Sequence, residues 1–355
     1  MALEPQPASD GHGTAGAAAS SRAGDGYDAA RRFAAVQLPR PRGLIAVAGT
    51  EAVSFLQGIL TNDIVSLAPG HTRYAAYLTP QGRMVSDMRV FRREDDLLLE
   101  VEPHVHEALA ARLDGSLFTE DVRIEDRSAR TTLLAVCGPA ARERLATVLD
   151  VGDPDALRRL GADEWLSARL DAHDVLLAGS SRLVVPSVDV LGSPEGCESV
   201  RMRLLSAGTP ALTDERAEAL RIEAGTPVFG LDMTDHTIPL EAGIEGRAIS
   251  MTKGCYIGQE VIVRILHRGG GRVARKLVGL RVEGDALAAR GGELTADGRA
   301  VGHVTSSARS PRFGVIALGY VQRDAAAPGS GLVLAASGQA AVVAALPFGS
   351  EPGFE

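Results

Sequence analysis

Residues 73–101 read RYAAYLTPQGRMVSDMRVFRREDDLLLEV. Arg73–Thr79 and Arg83–Arg92 have strand composition, and Pro80-Gln81-Gly82 between them is a hairpin turn signal. A third strand, Leu97–Val101, follows the Glu94-Asp95-Asp96 turn, and Pro103 opens a helix that ends near Asp114-Gly115. The same grammar continues outward. Upstream lies the short apolar run Gly43–Ala48, then Thr50 as N-cap of a helix carrying Val53, Phe55, Leu56, Ile59 and Leu60. Downstream come a strand at Thr131–Val136, a helix from Pro139, strands at Val175–Ala178 and Arg182–Val185, and a helix from Glu195 to Ala207. These are hairpin-plus-helix units without strict βαβ alternation. The expected class is α+β with antiparallel sheets.

From Arg272 the texture changes. Lys276–Val282, Arg299–Ser306, Gly314–Gln322, Leu332–Ala335 and Ala340–Leu346 are short strand candidates at close spacing, and Asp297-Gly298 is a hairpin turn. A small all-β barrel is expected. His267-Arg268-Gly269-Gly270-Gly271 makes the join, its glycines suiting a hinge. The expected division is a disordered tail over 1–30, an α+β region over 31–245, a connecting segment over 246–271 and a barrel over 272–349.

Composition narrows the function. Of 355 residues 45% are apolar and 23% charged, which excludes a disordered or fibrous chain. The formal charge of −8 argues against bulk nucleic-acid binding. No apolar stretch reaches the ~18 residues of a membrane span, and the Ala/Gly/Ser-rich start lacks a signal peptide's basic and apolar regions. Cys137, Cys197 and Cys255 are too few and too far apart for a disulfide framework or a metal knuckle. Reduced thiols and a cytoplasmic location are expected.

Lysine occurs only at 253 and 276, although Lys plus Arg total 37. Lys253 stands in Thr252-Lys253-Gly254-Cys255-Tyr256-Ile257-Gly258-Gln259-Glu260. In an extended segment Lys253 and Cys255 share a face, where an ammonium favours the thiolate. A structural cysteine in a glycine-rich turn is the competing reading of the spacing alone.

Lys-Gly-Cys-Tyr-x-Gly-Gln-Glu resembles the signature of the YgfZ family, folate-binding relatives of the glycine-cleavage T-protein that maintain iron–sulfur clusters. Phe55-Leu56-Gln57-Gly58 with Thr61-Asn62-Asp63, Leu220-Arg221-Ile222-Glu223-Ala224-Gly225 with Gly230 and Asp232, Ile238-Pro239-Leu240-Glu241 and Leu346-Pro347-Phe348 extend the similarity over most of the chain. The resemblance implies two similar mixed α/β lobes over 31–245 and a C-terminal β-barrel, a three-part ring around bound tetrahydrofolate. Cys255 and Lys253 would be its working pair, with Gly254, Tyr256, Gly258, Gln259 and Glu260 as positioning shell. Asp87, Arg221 and Glu223 would contact folate. The implied partners are iron–sulfur clients or carriers, with an indirect link to tRNA modification. A cluster takes four thiolates, so no stably held metal is expected from this chain alone.

Departures from the T-protein pattern keep alternatives open. The paired aspartates of T-proteins have become Ser86-Asp87, and alternation puts Asp87 on one face with Arg83 and Arg89. The Arg before the Leu-Arg-x-Glu segment is Ala217, and the Gly-Glu-x-Gly motif is not recognisable near Val185–Gly196. Beside the iron–sulfur reading stands a tetrahydrofolate-dependent aminomethyltransferase or demethylase acting on a small amine, with Asp87 as key residue. A folate-sensing scaffold without catalysis is the third.

Overall fold

Thr72–Leu78 and Met84–Arg92 pair antiparallel across the Pro80-Gln81-Gly82 turn in the computed structural model, which describes residues 25–267 and 270–350. Asp96–Val101, Gly43–Ala48 and Arg123–Asp126 extend the hairpin into a five-stranded sheet. Strand alternation then divides the labour. Leu97 and Leu99 face the helices Ala52–Ile59 and His106–Asp114 and pack among Phe55, Leu56, Ile59, Leu109 and Leu113. Leu98 points the other way, toward the second lobe. Each such buried leucine contributes about 1.5–3 kcal/mol.

The second lobe repeats this plan. Thr132–Cys137 lies between the short strands Ala35–Val36 and Arg40–Pro41 on one side and Ser187–Gly192 on the other, followed by His173–Ser180 and Trp165–Leu170. Helices Ala141–Ala146, Pro154–Arg159 and Pro194–Ser206 cover its far face through Leu145, Leu157, Val200 and Leu204. The two sheets meet face to face where Leu44, Ala46, Phe91 and Leu98 pack on Leu133, Ala135, Ala178 and Leu191.

A closed six-stranded barrel completes the molecule, built from Arg275–Val282, Glu293–Ala296, Arg299–Ser310, Gly314–Gln322, Gly331–Leu334 and Ala340–Ala344. Val278, Leu280, Leu294, Val304, Val321 and Leu332 fill it. Asp297 and Gly298 both have positive φ, 49° and 73°, as the tight hairpin between Ala296 and Arg299 requires. Two mixed lobes and a C-terminal barrel are therefore present as expected.

Several local expectations are corrected. Arg182–Val185 is a bend, and the strand is Ser187–Gly192. Pro186 has no N–H for a ladder, and Val185 turns to pack with Leu220. Thr50 does not cap the following helix: its N–H and hydroxyl both donate to Asp121. Asp214–Ala224 is a helix capped by the Thr213 side chain and ended by Gly225 in the left-handed region. The tail boundary at 30 falls inside the helix Tyr27–Arg32, which the buried Tyr27 anchors. Residues 1–24 of that tail and the Arg268-Gly269 part of the hinge lie outside the described residues.

Residues 226–258 run over the first lobe as turns and the short helix Glu245–Ala248. Phe229, Met233, Leu240, Ile249 and Tyr256 pack there against Ala76, Leu78 and Met84. Gly258 has φ +83°, and a Cβ on it would stand 2.4 Å from the Thr79 carbonyl oxygen. A Cβ on Gly82, φ +75°, would meet Val261 at 2.8 Å. This close approach seats the start of the helix Gln259–His267 on the 79–83 turn, so the Cys255 segment and the Asp87 hairpin share one support.

Candidate functional site

A cavity of about 590 Å³ opens between the two lobes and the 226–247 segment. Asp87, Met88 and Arg89 reach it from the hairpin, Arg42, Glu100 and Glu102 from the neighbouring strands and their ends, and Arg182 from the second lobe. Leu67, Pro227 and Val228 supply apolar wall. The size suits a small organic ligand.

Asp87 accepts a hydrogen bond from the Tyr74 hydroxyl at 2.7 Å. Burial pushes its carboxyl above the ordinary value of 3.8, and Glu102 adds to the push, while the Tyr74 bond and Arg42 oppose it. Burial, with Asp87 beside it, also raises the Tyr74 hydroxyl well above its ordinary value. The Arg247 guanidinium lies 4.7 Å from the Tyr74 ring centroid. Asn62 joins these parts, its amide donating to the Tyr74 and Arg247 carbonyl oxygens at 2.9 Å each. A carboxyl with a raised pKa on a cavity wall suits proton transfer.

The cavity floor is an arginine cage around Glu100, whose side chain is fully buried. Its carboxylate accepts from Arg42, Arg182 and, at 2.8 Å, Arg89. Arg89 also donates to Asp189 at 2.9 Å, and Arg42 to Glu102. Burial alone would raise the Glu100 carboxyl, but the three guanidinium groups hold it well below its ordinary value. The cage crosses from one lobe to the other. Arg89, which alternation grouped with Asp87, thus pairs with Glu100 and Asp189, and Arg83 points outward to His236. Sequence reasoning passed over Glu100, yet a lone acid in Leu97-Leu98-Leu99-Glu100-Val101 is itself a signal: a buried charge needs partners.

At the rim, Arg73 donates to the Asp63 carbonyl oxygen and the Ser66 hydroxyl. Arg73 lies close enough to Asp63 to add to the lowering of its carboxyl by Ser66, but among the described residues neither Arg73 nor Arg247 is in salt-bridge contact with an acid, and both cations border the cavity.

Arg221 and Glu223 divide differently from the implied folate set. Arg221 borders the cavity, but its guanidinium is committed to Glu218, the Thr226 carbonyl oxygen and Asp232. Asp232 in turn accepts from Thr305 and Ser306, so the pair locks the helix Asp214–Ala224 to the barrel. Glu223 does not border the cavity. It is buried, and accepts from Tyr27, Arg31 and Ser310 where the first helix, its own helix and the barrel converge. A helix places residues two apart about 200° apart, which separates these two side chains.

Lys253 and Cys255 also part company in their contacts. The Lys253 ammonium donates to the carbonyl oxygens of Gln57 and Leu60 at 2.6 Å and of Asn62 at 3.1 Å. Burial pushes its pKa down to about 8, against the opposing pull of Asp63. It also lies 5.2 Å from the Tyr256 ring centroid. Cys255 is exposed and is not among the residues bordering the cavity. Tyr256 is buried beneath the loop, and its N–H donates to the Gln259 side chain at 3.1 Å. Gly254 and Glu260 are exposed, Glu260 in the first turn of its helix.

The other two cysteines are sealed in the second lobe, where burial pushes each thiol up to about 12. Iodoacetamide on the native protein is therefore expected to label Cys255 and to reach Cys137 and Cys197 at least ~100-fold more slowly. Peptide mass spectrometry reads this. Equal labelling of all three would show that the second lobe opens readily.

No group of three or more His, Cys, Asp or Glu among the described residues is arranged to hold a metal ion. No described helix is long and apolar enough to cross a membrane.

Two sheet lobes and a barrel thus frame a cavity that bears an acid and is rimmed by arginines. A model of the GCVT N-terminal domain matches residues 29–183, and one of the glycine cleavage T-protein C-terminal barrel domain matches residues 275–348. The aminomethyltransferase of Rubrobacter xylanophilus is 32% identical over 280 residues, covering 79% of this chain and 73% of its own. That of Streptomyces coelicolor is 31% identical over 320 residues, covering 86% and 84%. The crystal structure of the glycine cleavage system aminomethyltransferase T from Bartonella henselae shares the fold, with a TM-score of 0.79 at 24% identity over 93% of this chain and 90% of that one. This chain belongs to the glycine-cleavage T-protein family.

Proposed function

We propose that this chain binds tetrahydrofolate in the central cavity and exchanges a one-carbon unit between it and a small amine. The observation that carries this reading is the Asp87 carboxyl on the cavity wall, held by Tyr74 and pushed upward by burial. The residues suit the ligand. A planar, amine-bearing ring finds a hydrogen-bond acceptor in Asp87 and apolar wall in Leu67, Pro227 and Val228. An anionic glutamyl tail finds Arg73 and Arg247 at the rim. Tetrahydrofolate supplies the nitrogens that carry the one-carbon unit, and Asp87 takes up or returns the proton as the amine is bound or released. The relatives' printed name, aminomethyltransferase, supports the same class of chemistry.

A second reading keeps the tetrahydrofolate but assigns the work to Cys255 in support of iron–sulfur clusters of client proteins. Its favouring observation is that Cys255 is exposed whereas Cys137 and Cys197 are buried. An assay of methylene-tetrahydrofolate formation from an aminomethyl donor separates the two. Turnover lost in Asp87→Asn and kept in Cys255→Ala supports one-carbon transfer. No turnover, with Cys255 needed to restore iron–sulfur enzyme activity in cells lacking their own family member, supports the second reading.

A further inference from the structure

We infer that Lys253 is a positioning residue of the cavity wall, acting through Asn62, and not a hydrogen-bonding partner of Cys255. This rests on the reading of the cavity as a tetrahydrofolate site. An ammonium has three N–H donors, and those of Lys253 are matched by three carbonyl oxygens, of Gln57, Leu60 and Asn62. Gln57 and Leu60 lie at the C-terminal end of the helix Ala52–Ile59, where carbonyl groups lack helical partners and a cation is favourable. The third bond fixes the main chain of Asn62, which borders the cavity. From there the contacts run inward without a gap. The Asn62 amide holds the Tyr74 and Arg247 carbonyl oxygens, Arg247 stacks on the Tyr74 ring, and the Tyr74 hydroxyl donates to Asp87.

The shape of the site explains why lysine stands there in a chain that otherwise uses arginine almost throughout. Three carbonyl oxygens converging on one point suit a compact ammonium. A planar guanidinium fork cannot place three donors in that arrangement.

The test is a double-mutant cycle read by calorimetric titration with tetrahydrofolate, using Lys253→Met, Asn62→Ala and the double variant. Lys253→Met alone is expected to weaken binding roughly ten-fold. In the Asn62→Ala background it is expected to add little, because the link it works through is already cut. Hydrogen exchange is expected to quicken in Lys253→Met for peptides covering 60–66 and 245–250, and Lys253→Arg is expected to restore neither readout fully. Cys255 alkylation should keep its pH midpoint in Lys253→Met. Unchanged binding and unchanged exchange in Lys253→Met would overturn the proposal, as would additive losses in the cycle. A raised alkylation midpoint with unaltered binding would make the lysine a thiol activator instead. If the wild type itself fails to bind tetrahydrofolate, the ligand assignment fails and this role for Lys253 with it, while the exchange data still report whether the lysine orders the wall.

Discussion

Asp87→Asn is expected to lower the rate of one-carbon transfer by about 10²–10⁴-fold, the usual contribution of a positioned acid or base. The amide keeps the size of the side chain and its bond from Tyr74, so the fold and the cavity should persist. Tetrahydrofolate affinity is expected to change far less than the rate. The pH profile supplies a second readout. Burial raises the Asp87 carboxyl above its ordinary 3.8, and the group must be ionised to accept a proton. Activity should therefore fall on the acid side at a midpoint above that value, and the limb should vanish in whatever rate Asp87→Asn retains. Full activity in the variant would remove Asp87 from the chemistry.

Glu100→Gln is expected to destabilise the protein by about 3–5 kcal/mol, because it leaves buried guanidinium groups without their shared carboxylate. Arg42, Arg89 and Arg182 would keep only Asp189 and Glu102 as ion-pair partners, with the Gly179 carbonyl oxygen on Arg89. The loss should appear as a lower denaturation midpoint, with the contact between the two lobes affected first, since Arg182 reaches the cage from the second lobe. The pH dependence follows in sign. A carboxyl held well below its ordinary 4.5 contributes stability that is fully present above that value and lost as the pH falls toward its folded pKa. Wild type should therefore lose more stability than the variant on acidification below about pH 4.5. A midpoint shift equivalent to under ~0.5 kcal/mol would show that the cage merely breaks even.

Much of the architecture was legible because the first hairpin and one barrel hairpin carry their own turn chemistry, although the short barrel strand Glu293–Ala296 was not read. Asp297-Gly298 and Pro80-Gln81-Gly82 both delimit strands that formed close to where they were expected. The second lobe was harder to read. Arg182–Val185 has strand composition, but Pro186 and the packing of Val185 on the helix Asp214–Ala224 draw it out of the sheet. That helix was itself readable from Thr213 and Gly225, its two caps.

The site was legible one residue at a time and not as a network. Asp87 could be singled out from the hairpin that carries it, whereas Arg182 and Arg247 come from segments far along the chain and only the fold brings them to Tyr74 and Asp87. Arg221 and Glu223 carry the family pattern yet serve the joint with the barrel, because spacing along a helix does not tell which face meets the ligand. Lys253 stood out by residue type and by its place beside Cys255 in the motif. Its three carbonyl partners, all near the end of one helix, emerge only in three dimensions.

Calorimetric titration of the wild-type chain and of an Arg73→Ala, Arg247→Ala variant with tetrahydrofolate tests the central claim most directly. One molecule should bind per wild-type chain, and the variant should bind at least ~10-fold more weakly while unfolding at a similar temperature. Absence of binding to the wild type, or equal affinity in the variant, would contradict a tetrahydrofolate site in this cavity.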